Sequence, residues 1–138
     1  MEIKFKEPAI KEVKSNSNVP SFLSYLMGCR DILKIMHWKT TSYAIHKALD
    51  KCQDGLLDIT DSIAEKSSGY LGTHLSGFKD FSVSKYENTD PSVYIKEVKN
   101  YVQKERYTCF PKDYSPIQNE LDNLTNLLDQ TLYLLSLK

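Results

Sequence analysis

Residues 37–65 read HWKTTSYAIHKALDKCQDGLLDITDSIAE. This stretch holds two of the chain's three histidines, its single tryptophan, and acids at Asp50, Asp54, Asp58, Asp61 and Glu65. From Tyr43 onward its apolar residues recur at helical spacing, and Ser42 stands where a helix cap is wanted. On a wheel at ~100° per residue with His46 at zero, Asp50, Asp61, Asp54 and Glu65 fall between about 40° and 100°. Ile45, Leu49, Cys52, Leu56, Ile59 and Ile63 fall on the far side, between about 220° and 300°. The pattern predicts one helix with a core face and a face carrying an imidazole and four carboxylates. A charged stripe is also what the wet side of a surface helix looks like. Two details separate this one from that pattern. Lys47 and Lys51 lie only at its margin, so the signs are not mixed. Leu57 sits inside it, near ~20°, which predicts partial cover.

Working outward, residues 19–41 carry Phe22, Leu26, Cys29, Leu33 and Met36 at steps of four and three, a second amphipathic helix that opens at Val19-Pro20. KTTS at 39–42 predicts a short turn between the two. Gly69 is the expected stop of the Tyr43–Ser67 helix. The next twenty or so residues hold Gly69, Gly72 and Gly77 without a helical period. That is long enough to cross a bundle from end to end. Tyr70, Leu71, Leu75, Phe78 and Phe81 predict that this crossover packs on the bundle, with room for one helical turn. Asp90-Pro91 reads as a cap followed by proline at the first helical position. The helix it opens has Tyr94, Val98, Tyr101, Val102 and Tyr107 on its apolar side and stops at Pro111. Ser115-Pro116-Ile117-Gln118 reads as a capping box, and Ile117, Leu121, Leu124, Leu128, Leu132 and Leu135 follow at steps of three and four. The expected fold class is all-α. It is a ferritin-like four-helix bundle with a long crossover between the second and third helices, occupying 19–138 behind a polar arm at 1–18.

Composition narrows the function classes. The 138 residues carry 18 basic and 18 acidic side chains, a formal net charge of zero, so neither a nucleic-acid nor a membrane partner is favoured by charge. The arm has Lys4, Lys6, Lys11 and Lys14 against Glu2, Glu7 and Glu12, which gives DNA association little support. No apolar run is long enough to span a membrane, and MEIKFKEPAIKEVK lacks the apolar core of a signal peptide. Cys29, Cys52 and Cys109 are odd in number and widely spaced, which argues against a disulfide framework or zinc ribbon and fits a reducing, cytoplasmic compartment.

The chemistry suggested by residues 37–65 is metal binding. His37, His46, Asp50, Asp61 and Glu65 are the mixed imidazole and carboxylate donors that suit iron, and manganese or zinc as well. No Glu-x-x-His pair is present, so a di-iron site inside one bundle is not indicated. Within one helix His46 lies about 22 Å from Asp61 and about 28 Å from Glu65 at ~1.5 Å per residue. Two copies packed antiparallel about a two-fold axis would bring the His46/Asp50 end of one to the Asp61/Glu65 end of the other, with His37 joining the first group. One such dimer makes two identical sites.

The residues HW at 37–38, then His46, Asp50, Asp61 and Glu65, resemble the ferroxidase signature of the Dps proteins (DNA-binding proteins from starved cells), mini-ferritins of the ferritin superfamily. HWKTTSYAIHKAL also resembles short Dps-like proteins of tailed phages, whose setting would be the host cytoplasm. The resemblance covers about residues 30–66. It departs in one place: His37 and His46 stand nine apart, three fewer than is usual in that family, so the turn between them must be tighter. The resemblance implies a mono- or di-iron site shared between subunits, with His37, His46 and Asp50 from one chain and Asp61 and Glu65 from the other. It implies oxidation of Fe(II) by hydrogen peroxide or dioxygen for iron sequestration and oxidative protection. It implies a homo-oligomer on a two-fold dimer, up to a twelve-subunit shell. Trp38 would flank the site as an electron donor or radical quencher, or pack on the first helix. Asp54 and Asp58 would be entry-path acids or plain solvated ones, and His74 a surface residue. The alternative is a non-enzymatic interaction or DNA-associating module with a vestigial metal site.

Overall fold

A computed structural model describes residues 18–137. The arm, with its four lysines, lies outside the described residues except for Asn18, which opens the first helix. Four helices follow: α1 (Asn18–Lys39), α2 (Tyr43–Leu71), α3 (Pro91–Cys109) and α4 (Ser115–Leu135), with a 3₁₀ turn at Ser84–Tyr86 inside the crossover. There is no strand among the described residues. The all-α four-helix expectation holds.

The helix ends show which local signals won. Ser42 caps α2 with extended backbone, and its Oγ accepts the Ile45 N–H at 3.3 Å. Asp90 caps α3 ahead of Pro91, its carboxylate accepting from Ser92 and Val93. The end of α2 differs from expectation. The helix runs past Gly69 to Leu71 and stops at Gly72, which takes the left-handed conformation at φ 68° while its N–H donates to the Ser68 carbonyl at 2.9 Å. The extra turn exists because Leu71 is buried there. Gly72→Ala is therefore expected to cost about 1 kcal/mol in urea unfolding, the penalty for a Cβ at positive φ. The start of α4 differs too. Ser115 is already inside the helix, and Tyr114 precedes it with no side-chain cap. Gln118 does not turn back to close a capping box; it is buried and bonds the end of α3.

Each helix packs on two others: α1 on α2 and α3, and α4 on α2 and α3. Phe22 near the start of α1 meets Phe110 just past the end of α3, edge to face at 5.1 Å. Tyr70 near the end of α2 meets Tyr114 ahead of α4 at 4.2 Å. Both neighbouring pairs are thus antiparallel, which leaves α2 and α3 parallel across the diagonal. The crossover at 73–90 must run the length of the bundle, as in ferritin-like topologies. The core is the predicted one: Phe22, Leu26, Leu33, Leu49, Leu56, Ile63, Tyr94, Val98, Leu121, Leu124 and Leu128 are fully buried.

The crossover is fastened to α1. Ser24 Oγ donates to the Pro20 carbonyl and accepts the Lys79 N–H, both at 2.8 Å. The Phe81 ring lies directly on Gly28, and a Cβ there would come within 2.2 Å of it. Leu75 and Phe81 pack on the core as expected, but Phe78 is exposed. Tyr107 is exposed as well, not on the buried side of α3, and sits beneath the Arg106 and Lys112 cations. No helix among the described residues is long and apolar enough to cross a membrane. All three cysteines are free and buried. Burial pushes the Cys29 thiol up to about 12 and those of Cys52 and Cys109 up to about 11.

Candidate metal centre

Only Thr40, Thr41 and Ser42 separate α1 from α2. The Ser42 N–H donates to Thr40 Oγ1 at 3.2 Å, and the Thr40 N–H closes α1 on the Met36 carbonyl at 3.1 Å. This short turn sets the register of the two helices, and the register sets His37 against His46. Their rings stack with centroids 3.7 Å apart and planes 19° off parallel. His37 Nδ1 lies 2.8 Å from the His46 carbonyl, and His46 Nδ1 lies 2.9 Å from the His37 carbonyl. A carbonyl oxygen can only accept, so each Nδ1 carries the proton. In its neutral form each ring then keeps its lone pair on Nε2, the arrangement a metal-binding imidazole uses.

One turn further along α2, Asp50 Oδ1 stands 3.9 Å from His37 Nε2. That oxygen already accepts from Lys34 Nζ and from Gln53 Nε2, each at 3.0 Å. The Lys34 hydrogen bond, then that of Gln53, holds the Asp50 carboxyl below the usual aspartate range. The contribution of this contact is thus complete above that range and is lost as the pH falls through the lowered value. Gln53 is buried and also donates to Asp54 Oδ1 at 2.8 Å.

The structure brings together His37, His46 and Asp50 and leaves Asp61 and Glu65 apart. Both of those are exposed on the second half of α2, about 16 and 22 Å from Asp50 at ~1.5 Å per residue. Among the described residues no group of three or more His, Cys, Asp or Glu side chains could hold a metal ion within one chain. Trp38 is 67 % exposed and Tyr43 75 %, so the reading of Trp38 as a packing residue of α1 is overturned. Asp54, Asp58 and His74 are exposed, and Leu57 is half-buried. Lys34 and Gln53 escaped the sequence reading. A signal for Lys34 existed: once His37 opposes His46 across an antiparallel turn, the residue three before one faces the residue four after the other.

Residues 37–135 match the model of a family described as "Family of unknown function (DUF5856)". The chain is a DUF5856 protein. This corrects the resemblance to Dps, because the family found over the signature and the rest of the bundle is neither Dps nor a ferritin family. The shared positions are few and lie at the end of α1 and along α2, and the turn between them departs by three residues. A relative of this DUF5856 chain is an uncharacterized 14.6 kDa protein of Enterobacteria phage T4, from the mobD-ri intergenic region. It is 29 % identical over 123 residues, covering 88 % of this chain and 91 % of the relative. No solved structure matches.

Proposed function

We propose that this DUF5856 chain binds a divalent metal ion between two copies and that Fe(II) held there is the substrate of an oxidation. The observation that carries the reading is the reciprocal histidine pair. Two imidazoles are locked with Nδ1–H on backbone carbonyls, which leaves both Nε2 atoms as acceptors in the neutral rings, that of His37 3.9 Å from the Asp50 carboxylate. Imidazole nitrogen with carboxylate oxygen is a donor set for iron, manganese or zinc. One chain supplies too few ligands, and its remaining candidates, Asp61 and Glu65, face solvent at the far end of the same helix. An antiparallel two-fold pairing of α2 brings Asp61 and Glu65 of the second copy to His37, His46 and Asp50. Each Fe(II) gives up one electron. Hydrogen peroxide takes two, so two Fe(II) ions and two protons are consumed as the O–O bond breaks to give two waters. The outcome would be sequestered ferric iron and removal of peroxide.

A second reading has its own support. Lys34 already neutralises Asp50, and two exposed aromatics accompany the histidines: Trp38 follows His37 in the chain, and the Tyr43 ring stacks 6.2 Å from that of His46. Both features suit a non-enzymatic interaction module whose metal site is vestigial.

The test is anaerobic Fe(II) loading followed by peroxide, with oxidation rate and oligomer mass recorded for the wild type and for Asp61→Ala/Glu65→Ala. The double variant is expected to drop to the rate of buffer with its mass unchanged, since both positions are exposed and hold no core contact. A folded wild-type oligomer that oxidises iron no faster than buffer overturns the reading in favour of the interaction module.

A further inference from the structure

Among the described residues the carboxylate oxygen paired with a histidine of this site is Asp50 Oδ1, and a cation is already on it. Lys34 Nζ sits 3.0 Å from that oxygen. His37 Nε2 sits 3.9 Å from the same atom. Gln53, buried, holds the same oxygen through Nε2 at 3.0 Å. The ammonium therefore already occupies the carboxylate oxygen that a metal ion held by Asp50 and His37 would need. We infer that Lys34 is an internal competitor for the metal position, a tethered cation that sets the affinity of the site and must swing away before a divalent ion binds. The inference rests on the metal-binding reading above.

The geometry suits reversible displacement. Lys34 and Asp50 are both part-exposed, with side chains 34 % and 41 % accessible. A lysine on a flexible four-carbon stem can carry its ammonium back to water without moving the helix. Gln53 cannot leave so readily. It is buried, and it also bonds the Asp50 carbonyl and Asp54, so it keeps the carboxylate oriented while the ammonium departs. Metal binding is then an exchange of one positive charge for two at a fixed oxygen. Neutralising residue 34 removes the competitor and also a repulsion acting over a few ångströms, where unit charges interact strongly.

The probe is Co(II), followed by its visible absorption in titrations of the full chain. Lys34→Gln is expected to bind Co(II) at least tenfold more tightly than wild type. Lys34→Arg, which keeps the charge, is expected to stay within a fewfold of wild type. The gain should vanish in Lys34→Gln/Asp50→Asn, which locates it at this carboxylate. Circular dichroism of each variant reports the fold independently. Equal Co(II) affinity in wild type and Lys34→Gln overturns the competitor role and leaves the metal reading standing. Absence of Co(II) binding in both folded proteins at millimolar metal overturns the metal reading, and the competitor role with it. A gain that survives Asp50→Asn also overturns the inference, since the effect would then be general charge and not competition at this oxygen.

Discussion

Arg106→Ala is expected to destabilise the chain by about 3 kcal/mol, within the range for removing one partner of a buried charged network. Arg106 is 6 % exposed near the end of α3. Its Nε donates to Gln118 Oε1 at 3.0 Å and its Nη2 to the Gln118 carbonyl at 3.0 Å, with Asp122 at 2.9 Å from the same nitrogen. Gln118 returns two bonds, from Nε2 to the Arg106 carbonyl and to the Pro111 carbonyl. The α3–α4 turn is thus closed by one interlocked pair of side chains. Truncating the arginine leaves the buried Gln118 oxygen without a donor and opens a void where the stem packed. Arg106→Lys should recover little, because an ammonium cannot reach two acceptors in the planar fork the guanidinium uses. Asp122 is largely exposed, so Asp122→Ala should cost no more than about 1 kcal/mol. Urea unfolding of the three variants checks the order. An Arg106→Ala chain as stable as wild type would show that the turn holds without this network.

Gly28→Val is expected to cost about 3 kcal/mol, at the upper end for overpacking a filled site. The Phe81 ring lies so close that even a Cβ at residue 28 would stand 2.2 Å from two ring carbons. Ring and side chain cannot share that space, so Phe81 must leave α1. It takes with it the edge contact to Tyr25 at 5.7 Å and the nearby anchor of Lys79 N–H on Ser24. The loss should be local. Amides of residues 73–90 should lose hydrogen-exchange protection while those of α2 and α4 keep theirs, since the crossover is fastened to α1 at this point. A double-mutant cycle with Phe81→Ala should show strong coupling, because Phe81→Ala alone already removes the ring that the valine displaces. Additive effects, or an unchanged exchange pattern, would rule out the clash as the cause.

Much of the fold was legible because it follows from a period. Leu49, Cys52, Leu56 and Ile63 are buried where the 3.6-residue repeat puts them, and Asp90-Pro91 caps α3 because that pair suits a helix start regardless of its neighbours. The misreadings share a different origin. Gly69 and Gly72 are alike as residues, and only the burial of Leu71 decides which one ends the helix. Ser115 and Gln118 have the spacing of a capping box, but a buried guanidinium is the stronger partner for Gln118. The candidate centre divides the same way. His37, His46 and Asp50 could be placed together once a short turn was read between the helices. The Lys34–Asp50 contact required the register that the turn imposes. Asp61 and Glu65 were correctly located on α2, but nothing within one chain brings them to the histidines. The Dps resemblance failed because a handful of ligand-type residues at helical spacing specifies donor chemistry without specifying a family.

The buried thiols have a consequence for how opening of this bundle can be followed. The thiolate is the form that reacts, and burial has moved each of the three thiols well above neutral pH while sealing it from solvent. Alkylation near neutrality must therefore wait for the surrounding helices to part. Cys29 reports on α1, Cys52 on α2, and Cys109 on the end of α3. The chain thus carries three clocks for its own breathing, one on each of three helices, readable by mass without any engineered label.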